Sequence, residues 1–470
     1  MQVNRLVLTA LDSPRRDFEW RLFLANKLAE AGVSTAIGAK PAIRDIQSRS
    51  QNAIILGRLG SAGNRSIGDI AWVNTFDPNG TRWLYFHDEG GLYAKGHYAD
   101  GAARVYPEPF FGEVYMSRIL FWGARQSNIF SPHLAESKFR VTGAPRFDLM
   151  RPKYDHIDER EKSKFREKFG SYTLICSRFA SANKVEDDAH PLSGRIREIA
   201  VESGSFSDRE DDRLIRRQFE GWRKVAHEFA DFLPAVAELA LTYPTQFFVI
   251  RPHPAEKSSI YETAFGSFNN IRVEKGGDVR PLIRGADCVI HSECTTGLEA
   301  AINQKPVINF RPWGGSEEFE VAGVSDVGAV CYDTDGLISR YQDVLMGKCA
   351  AAIDDLVSMQ DIVANAPPDS MEATQMVMDS ILEVSSGMDS GTTLQEPGIG
   401  RLARRYAGTL RRSLKGVIGK SATKDADRPA SRGDTKAYHY SAEAIAELWA
   451  AFGGNGELRV KNGVVWVLAE

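Results

Sequence analysis

Short apolar runs separated by stretches of helical spacing constrain this chain more than any other feature. In the first third the runs are residues 5–11, 34–39, 52–57, 82–87, 118–122 and 139–143. Between the first two, Phe18, Leu22, Ala25, Leu28 and Ala29 fall on one face of a helix that Gly32 stops. Parallel strands covered on both faces read as continuous apolar runs, because neither face meets water. The pattern resumes at 172–177, 247–251, 270–274, 288–291 and 306–310, with a long helix over 213–242. The expected fold is α/β: two Rossmann-like domains facing a cleft, with ligands bound beyond the carboxyl ends of the strands.

The two domains are expected over 1–150 and 171–385, joined by a polar connection at 151–170. Residues 181–212 read as a long loop and 337–383 as helical. Residues 386–437 are rich in Gly, Ser, Lys, Arg and Asp, the composition of a basic, flexible linker. A small α+β appendage is expected over 438–470: a helix at 442–451, then a hairpin turning at Asn462-Gly463. A length of 470 residues suits two or three domains of ~150 residues each. The net charge of -4 gives no overall attraction for nucleic acid. Five cysteines without a CxxC pair point to reduced thiols and away from a zinc ribbon, and no metal-binding motif is found. No apolar run reaches the ~18 residues of a membrane span, and no signal-peptide pattern opens the sequence. The expectation is a cytoplasmic protein or one resting on the inner face of the cytoplasmic membrane.

Three segments carry chemistry. His291-Ser-Glu-Cys-Thr-Thr-Gly-Leu-Glu299 follows a strand and opens a helix. Ser292, Thr295 and Thr296 would set hydroxyls and backbone N–H groups at the positive end of that helix, a site for a phosphate, with Glu299 one turn further in for ribose hydroxyls. An ordinary helix cap with Glu299 in solvent would read the same. In Phe247-Phe-Val-Ile-Arg-Pro-His-Pro254 a buried strand ends in Arg251 and His253 on a loop stiffened by two prolines. Such a loop can mount a phosphate-binding Arg and His, or simply cap the strand. In His87-Asp-Glu-Gly-Gly-Leu-Tyr93, Asp88 and Glu89 stand at a strand end in the first half. Neighbouring carboxylates raise one another's pKa, as a general acid or base requires; a turn with solvated acids is the alternative.

With Arg16-Asp-Phe-Glu19, Phe121-Trp-Gly123 and Val141 to Asp148, these segments occur in an order that resembles bacterial surface carbohydrate biosynthesis proteins of the GT-B glycosyltransferase type. The resemblance extends more distantly to capsule β-Kdo transferases, polysialyltransferases and teichoic-acid glycerophosphotransferases, and covers roughly residues 3 to 335. This chain departs from the pattern at Glu293, where glycine is more usual, and at Cys176-Ser-Arg-Phe179. The resemblance implies a nucleotide-sugar transferase. Arg251, His253, Ser292, Thr295, Thr296 and Glu299 would hold the donor nucleotide. Asp88 or Glu89 would serve the reacting centre, and His253 would help stabilise the departing phosphate. The donor implied first is a CMP-linked acidic sugar such as 3-deoxy-manno-octulosonic acid (Kdo), the acceptor a glycan or lipid-linked glycan, with no further cofactor. A UDP-sugar 2-epimerase and a non-catalytic carbohydrate-assembly module are the rival readings. Within the linker, Leu402, Tyr406, Leu410 and Leu414 recur at four-residue steps among Arg404, Arg405, Arg411, Arg412 and Lys415. A basic amphipathic helix of this kind makes an anionic membrane surface a candidate partner; a solvated linker helix, or one packed on the core, would read the same, and Gly408 and Gly416 lower helix propensity.

Overall fold

The structure, a computed structural model, describes residues 2–58, 67–184, 209–314, 318–349, 351–388, 391–394, 440–461 and 463–469. The stretch 401–415 and most of the expected loop 181–212 lie outside them.

Two sheets organise the chain. The second has six strands in the order Ile271–Val273, Phe248–Arg251, Thr173–Cys176, Cys288–His291, Val307–Phe310 and Ala329–Cys331, all parallel. Phe248–Arg251, Thr173–Cys176, Cys288–His291 and Val307–Phe310 are buried at every residue, which is why they read as unbroken apolar runs. From the central Thr173–Cys176 the chain builds outward on one side, then crosses to Cys288–His291 on the other. Loops leaving those two neighbouring strands diverge and open a crevice at their carboxyl ends.

The first sheet has eight strands: Glu457–Lys461, Val464–Leu468, Ser34–Ala39, Leu6–Leu11, Ile54–Leu56, Arg82–Phe86, Met116–Phe121 and Phe139–Val141. The last six are parallel. The C-terminal hairpin is where the Asn462-Gly463 signal puts it, but it does not stand apart. Val464–Leu468 pairs antiparallel with Ser34–Ala39, Val464 opposite Gly38, and so extends the first sheet. Its helix, Ala442–Ala451, is capped by Ser441. Asn26, on the long first helix Pro14–Glu30, donates to the Phe452 carbonyl at 2.7 Å and fixes the unit there. A small sheet joins Gln2–Val3, Thr392–Leu394 and Ser50–Gln51.

The connection at 151–170 is largely helical. It forms the 3-10 turn Pro152–Asp158 and the helix Glu159–Phe169. Buried Asp158 takes bonds from Arg280 at 2.5 and 2.8 Å and from Arg284. The helical region 337–383 breaks into Thr334–Leu345, Ile353–Ser358 and Ala373–Ser386. The last of these returns to the first domain. Its free N-terminal N–H groups are met by the buried Asp148 carboxylate, which accepts from Ala373 N at 3.1 Å and from Thr374 N and Oγ1 at 2.6 and 2.7 Å. Backbone bonds also close the seam between the domains: Lys95 N to Glu320 O at 2.7 Å, Ala322 N to Tyr93 O at 2.9 Å, and Ala364 N to Trp122 O at 2.8 Å. One apolar core runs through both sheets, from Val7 and Leu120 to Leu174, Val249 and Val289. Among the described residues no helix is long and apolar enough to cross a membrane.

Candidate functional site

On the first-domain wall, the loop after Arg82–Phe86 is held from below. Trp122 Nε1 donates to the His87 carbonyl at 2.9 Å, and the Gly90 carbonyl accepts from Gln126 at 2.5 Å and Tyr93 at 2.7 Å. Gly91 lies so close on the Trp122 indole that a Cβ there would overlap the ring. The turn is therefore rigid, and it sends its two acids to different places.

Asp88 points inward. It forms a two-pronged pair with Arg21 at 2.9 and 2.8 Å, with side chains only 3% and 1% exposed. Arg21 completes its set on Thr9 Oγ1 at 2.8 Å and the Asp17 carbonyl at 3.2 Å. The expectation that Asp88 serves the reacting centre is corrected by this geometry: both its oxygens are spent on a buried guanidinium. Glu89 points outward, 64% exposed, and pairs with Arg16. Arg16 itself is placed by Asp17, which accepts its Nε at 2.6 Å. His87, beneath them, is kept neutral: burial first, and Arg58 beside it, lower its pKa to about 4.

The second-domain wall is the crevice between Thr173–Cys176 and Cys288–His291. The helix Thr295–Ile302 starts there with Cys294 at the cap position and no side-chain cap. Ser292 Oγ, in a residue 3% exposed, has no hydrogen-bond partner. Thr295 and Thr296 are half-buried, and Thr296 Oγ1 has the Cys176 and Cys294 thiols beside it. His253 stands on its proline-flanked loop with Nδ1 accepting from Ala255 N at 3.2 Å. That bond fixes the tautomer and leaves an Nε2–H to give. Desolvation and Arg178 lower the His253 pKa, and Glu89 of the opposite wall raises it. Glu89 and His253, one from each domain, are thus near enough to sense each other's charge.

Arg251 is engaged with backbone carbonyls. Its guanidinium donates to the Gly276 carbonyl, to that of Gly277 at 2.7 Å and to that of Glu274 at 3.4 Å. The turn after the neighbouring strand presents carbonyl dipoles to it, and Arg251 braces that turn. Glu299 is not in solvent: Arg146, from the first domain, lies 3.5 Å from it. Burial raises the Glu299 pKa, and Arg146 pulls it down.

Glu293 is the residue whose role the sequence did not reveal. Its backbone is left-handed, φ 50°, which costs a non-glycine residue roughly 1 kcal/mol and explains why glycine is usual there. Its buried carboxylate compensates by accepting from Lys224 at 2.5 Å and Ser325 at 2.6 Å, with Arg311 at 3.4 Å and Arg178 at 3.5 Å. Those contacts hold its pKa down against burial. They pin the turn from which the helix Thr295–Ile302 departs. Arg16 and Arg146 lie inside segments that the family resemblance picks out, but nothing local marks them as facing the cleft. No group of residues able to hold a metal occurs among the described residues.

No protein-family model and no curated protein matches the sequence. Several solved structures do. UDP-GlcNAc 2-epimerase from Methanocaldococcus jannaschii is 13% identical over 81% of this chain and 99% of its own, with a TM-score of 0.49. MnaA from S. aureus, solved with UDP, is 13% identical over 85% and 99%, at 0.46. The wall teichoic acid polymerase TagF is 11% identical over 82% and 89%, at 0.47.

Proposed function

We propose that the protein is a nucleotide-sugar-dependent glycosyltransferase whose donor phosphate sits at the start of the helix Thr295–Ile302. The observation that carries this reading is Ser292: a buried hydroxyl left without a partner beside an uncapped helix N-terminus, in the crevice of a parallel sheet. An unmet buried polar group costs about 1–3 kcal/mol, and an anion accepting from Ser292, Thr295, Thr296 and the first N–H groups removes that cost. His253 Nε2–H adds a donor from the neighbouring loop, so charge developing on the departing phosphate meets oriented dipoles. Glu89, exposed on the opposite wall, is the carboxylate available to take the acceptor's proton or to face the sugar carbon.

The family resemblance supports a CMP-linked acidic sugar such as Kdo as donor and a glycan or lipid-linked glycan of a surface polysaccharide as acceptor. It also supports action at the inner face of the cytoplasmic membrane. The test begins with thermal stability in the presence of CMP, UMP, CDP and UDP. Incubation with CMP-Kdo or a UDP-sugar then distinguishes net transfer to an acceptor from epimer formation without one. Failure of all four nucleotides to stabilise the protein rejects the site; epimer formation without transfer rejects the transferase. Salt-sensitive sedimentation with anionic vesicles, lost on deleting 396–420, tests the membrane association.

A further inference from the structure

We infer that Arg146 completes the phosphate site from the first-domain wall, with Glu299 holding it in place until the donor arrives. This rests on the phosphate site proposed above. Arg146 lies in the short helix Pro145–Asp148, whose backbone cannot drift: Pro145 fixes its start, Phe147 is fully buried, and Asp148 caps the helix Ala373–Ser386. The guanidinium lies 4.4 Å from the Phe147 ring centre and 5.5 Å from that of Trp122. Stacking of this kind orients a guanidinium without using its N–H groups.

The Nε–H of that guanidinium is unmet. Arg146 makes no hydrogen bond to any described residue, and its Nε is buried without an acceptor. Its ion pair with Glu299 spans 3.5 Å, well beyond the ~2.7–2.9 Å of a charge-assisted hydrogen bond. Arg21, more deeply enclosed, shows the contrast: its fork is matched by Asp88, Thr9 and Asp17. Burial lowers the Arg146 pKa; Glu299 on one side and Glu89 and Asp17 on the other oppose this. The guanidinium packs on Trp122, whose Nε1 holds the acid loop, and pairs with Glu299 on the helix that starts at Thr295. A planar fork with no hydrogen bond to a described residue and a buried Nε–H to give matches the oxygens of a phosphate ester. Glu299 supplies a charge that keeps Arg146 in the cleft but does not saturate it.

The test compares CMP with cytidine, which lacks the phosphate, by calorimetric titration of the full chain. The parent should bind CMP more tightly than cytidine. Arg146→Met, which keeps the contact with Phe147 and Trp122, should cut that preference by about tenfold to a hundredfold, leaving cytidine affinity unchanged. Arg146→Lys should restore part of it. Glu299→Gln should keep the phosphate preference, and Arg146→Met with Glu299→Gln should lose it; the double variant decides the matter if the single one fails to fold. An unchanged CMP-to-cytidine ratio once Arg146 is gone overturns this role and leaves the site standing. A parent that binds CMP no better than cytidine overturns the phosphate site and Arg146 with it.

Discussion

Replacing Asp88 by Asn should unfold this protein more readily long before it says anything about catalysis. The carboxylate meets Arg21 through two bonds of 2.9 and 2.8 Å, and neither side chain sees solvent. Asparagine keeps one acceptor oxygen and turns an NH2 group toward a guanidinium that has only donors. One charge-assisted bond is lost, about 1.5–3 kcal/mol, and a buried cation loses its counter-charge. Breaking a buried pair in this way costs about 3–5 kcal/mol in all. The nearby Asp17, which also favours the charged form of Arg21, sets the expectation at the lower end. Urea unfolding followed by tryptophan fluorescence is a suitable assay, because Arg21 lies 4.2 Å from the Trp20 ring centre. Glu89→Gln is the matched control. Its side chain is 64% exposed, so stability should stay within about 0.5 kcal/mol, while turnover falls about a hundredfold or more. An Asp88→Asn protein within about 1 kcal/mol of the parent, yet inactive, would refute the division of labour between the two acids.

His253→Ala should weaken CMP binding without moving the urea midpoint, since His253 is exposed on a loop its prolines hold; unchanged affinity removes it from the site. Gly91→Ala forces a methyl into the Trp122 ring and should cost about 1–3 kcal/mol, with turnover falling as Glu89 shifts; a midpoint equal to the parent's contradicts the rigidity of that turn. His291, fully buried, has its pKa lowered from 6.5 to about 4, by burial first. As pH falls the unfolded chain takes up this proton near 6.5 and the folded one only near 4, so His291's contribution to stability is lost across that window. From pH 7 to pH 5 this amounts to about 2 kcal/mol. His291→Gln should therefore lose less stability than the parent over that interval, and an equal loss in both proteins contradicts the shift.

The strand–helix alternation was legible because the central strands of the second sheet are buried on both faces, so local composition mirrors local environment. That is why Phe248–Arg251 and Cys288–His291 are found where the apolar runs predict them. The walls of the cleft followed from the same pattern, since strand ends put His253 and Glu89 there. What the sequence could not show are pairings between distant residues. Nothing around Asp88 announces Arg21, and nothing around Arg251 announces the carbonyls of Gly276 and Gly277. The hairpin was visible through Asn462-Gly463, but its partner strand Ser34–Ala39 was not, because a turn signal says nothing about which edge a hairpin will join. Glu293 stood out only as a departure from glycine; its left-handed backbone supplies the reason.

The closing of the first sheet by the end of the chain has a consequence for synthesis. Asn26 and the Phe452 carbonyl it binds are 426 residues apart. At ~5–20 residues per second a ribosome needs roughly 20 to 90 s to deliver the second after the first. Through that time Ser34–Ala39 is a bare edge, open to any strand that reaches it. The first domain therefore cannot mature as it emerges, although its other strands are all in hand early. Its last two strands arrive only after the second domain has been made, and until then that edge has to be kept from other strands.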